Sequence, residues 1–225
     1  KKPYLISEIG INHNGDINLA KKLIDVAASC GADMVKFQNF SADSLATKNA
    51  KMAKYQIKNT KNDEAQQNML SRLELSEDDH ESLIDYCKLK KIEFLSTGFD
   101  IQAIDFLIKK NIKLIKIPSG NLTDLPYLKK IAQKNMPVIL STGMANLQEV
   151  SDAVSILINN GLKKELLTLL HCTTQYPAPH EDINLMAIET MRTKFDLEIG
   201  YSDHTLGVEA SIAAVALGAS VIEKH

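Results

Sequence analysis

Two lysines lie inside short apolar segments of this sequence. Lys36 lies within MVKFQ (34–38) and Lys116 within LIKIP (114–118). Burying an unpaired charge costs several kcal/mol, so a lysine is rarely placed in such surroundings without a partner. Alternation along the first segment puts Lys36 and Gln38 on one face of a strand and Phe37 on the other. We interpret both lysines as inward-facing cations that an anionic ligand would neutralise.

Hydroxyl groups follow or end the neighbouring apolar segments. Thr97, Ser119 and Ser141 occupy such positions, and two turns, SG (119–120) and TG (142–143), carry glycines whose backbone amides can approach an anion closely. Two cations and several hydroxyls suit a ligand that bears both phosphate and carboxylate.

A metal site is a separate hypothesis. His204 follows the seventh apolar segment, and His225 ends the eighth, so adjacent strands could direct both imidazoles to one place. Glu8, in the first segment, would adjoin the eighth in a closed sheet. Two neutral imidazoles with waters and a carboxylate suit Mn²⁺, Co²⁺ or Mg²⁺, and Zn²⁺ less well. An unliganded pair of core histidines is the alternative, and Asp203 is expected to orient a ligand.

The other four histidines are weaker candidates. We expect His80 on the exposed side of a helix and His180 in a proline-rich loop, while His171 fits either the core or the surroundings of the site. His13 follows the first strand, within a run of polar residues.

The elements that must position these side chains repeat along the chain. Eight apolar segments read as strands, at residues 4–9, 34–40, 92–97, 114–118, 138–142, 167–172, 197–201 and 220–225. Seven helical patterns lie between them, at residues 17–30, 77–91, 101–110, 125–135, 147–160, 185–194 and 208–217. The spacing of about 30 residues is that of a βα unit.

This repeat predicts an α/β fold, a (β/α)8 TIM barrel that fills residues 1–225 as one catalytic domain and is truncated after strand eight. A doubly wound open sheet is the competing architecture. Every strand end carries a polar group, as barrel active sites require. The long polar connection at residues 41–75 is expected to be a lid over the barrel mouth, or else a disordered insertion.

Composition excludes several function classes. With 26 basic and 28 acidic residues, a net charge of −2 offers no basic field for nucleic acid. No apolar run is long enough to span a membrane. Three cysteines without a CxxC motif indicate reduced thiols and a cytoplasmic protein. P-loop, Rossmann and GxSxG motifs are absent from the sequence.

The chain resembles the sialic acid synthase family along its whole length, and most closely the bacterial branch that makes legionaminic acid. The resemblance is carried, in order, by SEIGINHNG (7–15), VKFQ (35–38), KIPSG (116–120), STGM (141–144), HCTTQYP (171–177), YSDHT (201–205) and EKH (223–225).

The resemblance implies a transferase that condenses phosphoenolpyruvate with an open-chain 2-acetamido sugar. C3 of phosphoenolpyruvate would attack the sugar aldehyde, water would add at C2, and phosphate would leave by C–O cleavage. A divalent metal, Mn²⁺ by preference and Mg²⁺ or Co²⁺ otherwise, would polarise the aldehyde. Legionaminate is the favoured product type, with N-acetylneuraminate or pseudaminate as alternatives.

Carried over residue by residue, the resemblance also implies site roles. His204 and His225 would hold the metal, Gln38 and Tyr176 would contact the sugar, and Glu8, or else Glu223, would handle the proton or position the water. Phosphoenolpyruvate would be bound by Lys36, Thr97, Lys116, Ser119, Ser141, Thr174 and Ser202.

Family members further add a small C-terminal antifreeze-like domain that reaches the partner subunit's site and supplies an arginine. We expect this domain to be absent from the present sequence, and the intact protein to form a homodimer.

Two other functions remain open on the residues alone. A metal-dependent lyase, or an aldolase that forms a Schiff base through Lys36 or Lys116, would use the same kind of barrel. A barrel that binds sugar without turnover is the non-enzymatic alternative.

Overall fold

In a computed structural model, which describes residues 2–47, 49–52, 56–57 and 64–225, the chain folds around a closed barrel of eight parallel strands. Each strand pairs with its sequence neighbour, and the first pairs with the last. The predicted (β/α)8 architecture is confirmed. Closure is favoured because a closed barrel leaves no strand edge exposed. The helices cover the outer face of the parallel sheet, and side chains fill its inside.

The strands match the predicted segments within three residues at every end. They are β1 (Tyr4–Gly10), β2 (Met34–Asn39), β3 (Glu93–Gly98), β4 (Ile115–Ile117), β5 (Val138–Ser141), β6 (Leu167–Cys172), β7 (Glu198–Asp203) and β8 (Val221–Lys224).

The helices cover the outside of the barrel, apart from two short ones in the connection after β2. They are α1 (Ile17–Ser29), α2 (Ala42–Leu45), α3 (Gln66–Ser71), α4 (Glu77–Lys90), α5 (Ile101–Lys109), α6 (Leu125–Ala132), α7 (Leu147–Asn159), α8 (Ala187–Phe195) and α9 (Glu209–Ala216). None of the helices in the described part of the chain has the length and apolar character needed to cross a membrane.

Local signals set the ends of these helices. The Asp16 carboxylate accepts a hydrogen bond from the Asn18 backbone N–H at 2.8 Å and caps α1. Ser76 and Asp79 form a reciprocal capping box at the start of α4. Gly31, which follows α1, adopts a φ of +79°, a conformation that favours glycine.

The inside of the barrel has two layers of different chemistry. The apolar layer, toward the N-terminal ends of the strands, consists of Ile6, Met34, Leu95, Ile139 and Leu170. The charged layer, toward the C-terminal ends, consists of Glu8, Lys36, Lys116 and Glu223, all of them buried. Outward-facing strand residues such as Val35 and Phe37 join the larger core under the helices. The charged layer therefore lies directly on the apolar layer inside the barrel.

The connection predicted as a lid contains a second apolar cluster. Phe40, Met52, Met69 and Leu70 are buried together beside the strand ends, with Phe99 packed against them. Residues 48, 53–55 and 58–63 of this connection lie outside the described residues. The described part is therefore anchored by apolar contacts, and its role as a lid stays a prediction.

The expectation that His80 is exposed is wrong. The side chain is buried on α4, edge-on to Phe94 and Phe106, and its Nδ1–H donates to the Ser76 carbonyl at 3.0 Å. Burial lowers the pKa of His80 and keeps the ring neutral. The aromatic rings of β3 and α5 make this outer face apolar enough to bury a histidine.

Candidate active site

The two lysines singled out in the sequence both reach the centre of the charged layer. Lys36 Nζ lies 2.9 Å from Glu8 Oε2 and 2.8 Å from Glu223 Oε2. The carboxylates come from β1 and β8, which pair with each other when the barrel closes. β1 also pairs with β2, where Glu8 is the register partner of Lys36. The charge that the sequence assigned to a ligand is thus balanced first by the protein itself.

Lys116 lies on the other side of Glu223. Its Nζ donates to Ser141 Oγ at 2.8 Å and lies 3.4 Å from Glu223 Oε2. Burial and the nearby charge of Lys36 lower the pKa of Lys116, although Glu223 opposes them. Thr97, also buried, is the register partner of Lys116 on β3. One carboxylate therefore bridges two buried ammonium groups.

The two carboxylates of the charged layer differ in basicity. Burial raises the pKa of Glu8 to about 7, against the opposing charge of Lys36. Burial would also raise the pKa of Glu223, but the charges of Lys116 and Lys36 lower it well below its usual range. Glu223 is therefore ionised at neutral pH, whereas Glu8 can exchange a proton there.

The histidine pair, His204 and His225, stands beside this layer. The two ring centroids are 4.1 Å apart at 85°, and the Tyr176 ring stacks on His204 at 4.1 Å. The Nδ1–H of His204 donates to the Thr173 carbonyl, so Nε2 is the unprotonated ring nitrogen. Burial lowers the pKa of His204, and desolvation together with His204 lowers that of His225.

Ser202 connects the two groups. Its Oγ donates to Glu223 Oε1 at 2.7 Å and lies 3.3 Å from His204 Nε2. A ligand that spans the lysines and the histidine pair would pass this hydroxyl.

A third group, the Ser119 corner, gathers the ends of β4, β5 and β6 and consists of Ser119, Gly143, Cys172 and Thr174. The Gly143 backbone N–H donates to Ser119 Oγ at 3.0 Å, and Cys172 Sγ lies 3.4 Å from that oxygen. A Cβ on Gly143 would lie 2.5 Å from Thr174 Cγ2 and 2.9 Å from Cys172 Sγ. Only glycine fits, and the amide expected to approach an anion is already bonded to Ser119.

The predicted sugar contacts lie at the rim. Gln38 is half-buried, and its Nε2 and Glu8 Oε1 both border Gly10, since a Cβ there would lie 3.5 and 2.9 Å from them. Tyr176 is exposed enough to meet a ligand. These positions are compatible with the expected contacts and do not test them.

Asp203 is hydrogen-bonded to residues that follow His204 in the chain. Its Oδ1 accepts from the backbone N–H and the hydroxyl of Thr205, and its Oδ2 accepts from Ser211. The carboxylate therefore holds the loop that carries His204, which is compatible with the expectation that Asp203 orients a ligand.

The remaining histidines lie outside the site. His13 is buried beside Phe37, and its Nδ1 accepts from the Gly15 N–H at 3.0 Å. His171 stacks on Tyr201 and donates through Nε2 to the Ile183 carbonyl. His180 is exposed.

No site role was predicted for Cys172. It stands inside the polar strand-end segment HCTTQYP (171–177), and that position was the available signal. The Cys172 side chain is buried.

Comparison with known proteins places this geometry in context. The model of the NeuB family matches residues 23–225. The chain is 55% identical over its whole length to an N,N'-diacetyllegionaminic acid synthase of Campylobacter jejuni and 50% identical over 99% of its length to one of Legionella pneumophila. It spans 67% and 63% of the lengths of those two proteins.

A solved structure gives a similar result for the fold. The N-acetylneuraminic acid (sialic acid) synthetase of Leptospira borgpetersenii superposes with a TM-score of 0.88 at 34% identity, over 100% of this chain and 73% of that one.

Proposed function

Because this chain belongs to the NeuB family, we propose that it condenses phosphoenolpyruvate with an open-chain 2-acetamido sugar to give a nine-carbon acid and phosphate. The observation that carries the proposal is the pair of buried lysines, Lys36 and Lys116, at the mouth of the barrel beside the histidine pair. The site combines an anion clamp with two neutral imidazoles, and the proposed reaction needs both.

In this proposal the two lysines divide the substrate between them. Lys36 and Thr97 would bind one anionic group of phosphoenolpyruvate, and Lys116 with hydroxyls from β4 to β7 would bind the other. The hydroxyl donors are Ser119, Ser141, Thr174 and Ser202. Glu8 and Glu223 already stabilise the buried ammonium groups, which offsets the cost of removing those charges from water. The substrate therefore meets charges that are fixed in place before it binds.

The chain's own residues would then guide the condensation. C3 of phosphoenolpyruvate forms the new bond to the aldehyde carbon, water adds at C2, and the C–O bond to phosphate breaks. We assign the proton of that water to Glu8, whose pKa of about 7 suits an acceptor at neutral pH. Glu223 is a weaker candidate, since its charge is bound to both lysines. Gln38 and Tyr176 would orient the sugar.

The residues present fit a divalent metal. Within the described residues no three His, Cys, Asp or Glu side chains cluster for a metal, so His204 and His225 would be the protein ligands, with water or substrate beside them. The unprotonated Nε2 of His204, whose tautomer is fixed by the Nδ1–H bond to the Thr173 carbonyl, supports this assignment. When bound, the cation would supply Lewis-acid stabilisation of charge at the sugar carbonyl oxygen. Mn²⁺ is our first choice, and Mg²⁺ and Co²⁺ are alternatives.

Several finer points belong to the proposal. The names of the two relatives above favour a legionaminate-type product over N-acetylneuraminate or pseudaminate. We propose that residues 1–225 act as the catalytic barrel of a homodimeric cytoplasmic enzyme. The three free cysteines are compatible with that compartment.

The test is phosphate release from phosphoenolpyruvate with Mn²⁺, using the protein expressed from its complete coding sequence. The sugars are 2,4-diacetamido-2,4,6-trideoxymannose and N-acetylmannosamine, with no sugar as the control. We expect release that requires sugar and is faster with the diacetamido sugar. The absence of phosphate release with both sugars would refute the proposed synthase activity.

The metal assignment has its own test. We expect His204→Ala to abolish Mn²⁺ binding measured by electron paramagnetic resonance, and with it the dependence of activity on metal. The exposed His180→Ala is the matched control and should bind Mn²⁺ like the wild type. Unchanged Mn²⁺ binding in His204→Ala would refute the site.

One observation favours a second function. The lowered pKa of Lys116 suits an amine that forms a Schiff base, as in an aldolase. Borohydride trapping separates the two, because only an aldolase would leave a covalent substrate adduct on Lys116. Its hydrogen bond to Ser141 and its contact with Glu223 suit a clamp better.

A further inference from the structure

The Ser119 corner contains a hydroxyl whose hydrogen bonds can be counted. A serine hydroxyl has one hydrogen to donate and two lone pairs to accept with. Among the residues that the structure describes, two groups lie within hydrogen-bond reach of Ser119 Oγ, namely the Gly143 backbone nitrogen at 3.0 Å and Cys172 Sγ at 3.4 Å.

The first of these contacts has only one direction. A backbone N–H can only donate, so Gly143 occupies one lone pair of Ser119 Oγ. Gly143 is closely packed, since a Cβ on it would lie 2.5 Å from Thr174 Cγ2 and 2.9 Å from Cys172 Sγ. The direction of this first contact is therefore fixed.

The second contact can run either way. If Ser119 donates to the sulfur, its remaining lone pair faces the barrel mouth and repels an anion. If the thiol donates to Ser119, both lone pairs are occupied and the only group left facing the mouth is the O–H. Cys172 is buried, so water does not readily replace the thiol in this role.

We propose that Cys172 is a positioning residue whose S–H donates to Ser119 and so makes the Ser119 hydroxyl a hydrogen-bond donor to the anionic substrate. The proposal rests on the proposed function, because it concerns the phosphoenolpyruvate site. Cys172 does not touch substrate and acts through Ser119. A thiol suits the 3.4 Å separation, which is long for an O–H···O bond but normal for sulfur.

The test compares four proteins with the wild type, all expressed from the complete coding sequence. They are Cys172→Ala, which removes the donor, Cys172→Ser, which keeps one, Ser119→Ala, and the Ser119→Ala/Cys172→Ala double variant. The readouts are KM for phosphoenolpyruvate, KM for the sugar, kcat, and the Kd for inorganic phosphate by calorimetry.

We expect Cys172→Ala to raise KM for phosphoenolpyruvate and Kd for phosphate by roughly threefold to tenfold, the range for one lost hydrogen bond. The sugar KM and kcat should stay within about twofold. Cys172→Ser should restore both constants only in part, because the shorter C–O bond leaves its hydroxyl farther from Ser119 than the thiol is. The double variant should be no weaker than Ser119→Ala, because a residue that acts through Ser119 has no effect once that hydroxyl is gone.

A matched variant separates positioning from general packing. Cys87 is also buried, on the inward face of α4. Cys87→Ala should lower the stability of the protein without changing the KM for phosphoenolpyruvate or the Kd for phosphate. Wild-type phosphate binding in Cys172→Ala, an additive double variant, or failure of Cys172→Ser to rescue would overturn the proposal.

The calorimetric measurement of phosphate binding tests this inference separately from the proposed function. If the wild type turns over neither sugar but binds phosphate, the synthase fails while the effect of Cys172 is still decided by calorimetry. If the wild type turns over sugar but binds no inorganic phosphate, the KM for phosphoenolpyruvate decides the effect of Cys172.

Discussion

The two layers inside the barrel share the same strands and differ completely in chemistry. In the apolar layer, Ile6, Met34 and Ile139 pack with no polar partner to satisfy. Two residues further along those strands, on the same face, stand Glu8, Lys36 and Ser141, joined by ion pairs and hydrogen bonds. Because side chains alternate along a strand, a step of two residues leads from the apolar layer to the charged layer with no change in backbone conformation.

The contrast shows how a barrel divides stability from chemistry. The apolar layer gains from burial alone, whereas the charged layer is stable only while every charge keeps its partner. The following variants are ways to break or sharpen this division.

The largest effect is expected from Lys36→Met, which leaves Glu8 and Glu223 without their shared cation. Removing one partner of a buried ion pair typically costs about 3–5 kcal/mol, so the free energy of unfolding should fall by that order at pH 7. The loss should shrink at pH 5, where the carboxyl groups can accept protons. Urea denaturation at both pH values measures it.

The control for Lys36→Met is Lys88→Met, which breaks the exposed pair between Lys88 and Asp85. A surface pair of this kind contributes at most about 1 kcal/mol. Equal losses in the two variants would show that burial does not distinguish the charged layer.

In the apolar layer, Leu170→Ala should lower the free energy of unfolding by about 2–5 kcal/mol through the cavity it leaves. Phosphoenolpyruvate affinity of the folded protein should stay within about twofold, since Leu170 lies below the site. Denaturation and calorimetry on the same sample give both numbers. A weakened affinity with unchanged stability would contradict the division of roles.

A smaller stability effect is expected from Gly143→Ala in the Ser119 corner. The added Cβ has no room against Thr174, and overpacking typically costs about 1–3 kcal/mol. The bond from the Gly143 N–H to Ser119 should be lost with it, so phosphate affinity should fall as well. Gly120→Ala, where a Cβ would have no neighbour within 4 Å, is the matched control.

A further prediction concerns the pH dependence of stability. Glu8 has a pKa of about 7 in the folded protein and an ordinary value of 4.5 when unfolded. Between these values the folded state holds a proton that the unfolded state has lost, so this residue makes stability fall as pH rises from 4.5 to 7. In Glu8→Gln that contribution should vanish, while the exposed Glu165→Gln should keep it. Identical slopes in the wild type and Glu8→Gln would refute this account.

Much of the fold could be predicted from sequence because its signals are local. The strand β6 was predicted with the bounds it has, and alternation alone directed Lys36 inward. Capping residues such as Ser76 likewise act within one helical turn.

The partners of Lys36 could not be predicted in this way. Its ion pairs with Glu8 and Glu223 join β1, β2 and β8, which meet only when the barrel closes in one register. From the sequence alone, a ligand was therefore the expected partner of Lys36. His80 is a different case, since its spacing to Leu83, Ile84 and Cys87 is that of one helix face, and this signal was overlooked.

The most direct measurement is calorimetric binding of phosphoenolpyruvate to the complete protein and to Lys116→Ala. The account predicts binding by the wild type and a loss of about 1.5–3 kcal/mol in the variant, as expected for a lost charge-assisted hydrogen bond. Leu170→Ala should bind like the wild type. Equal affinity of Lys116→Ala and the wild type would contradict the claim that the charged layer is the phosphoenolpyruvate clamp.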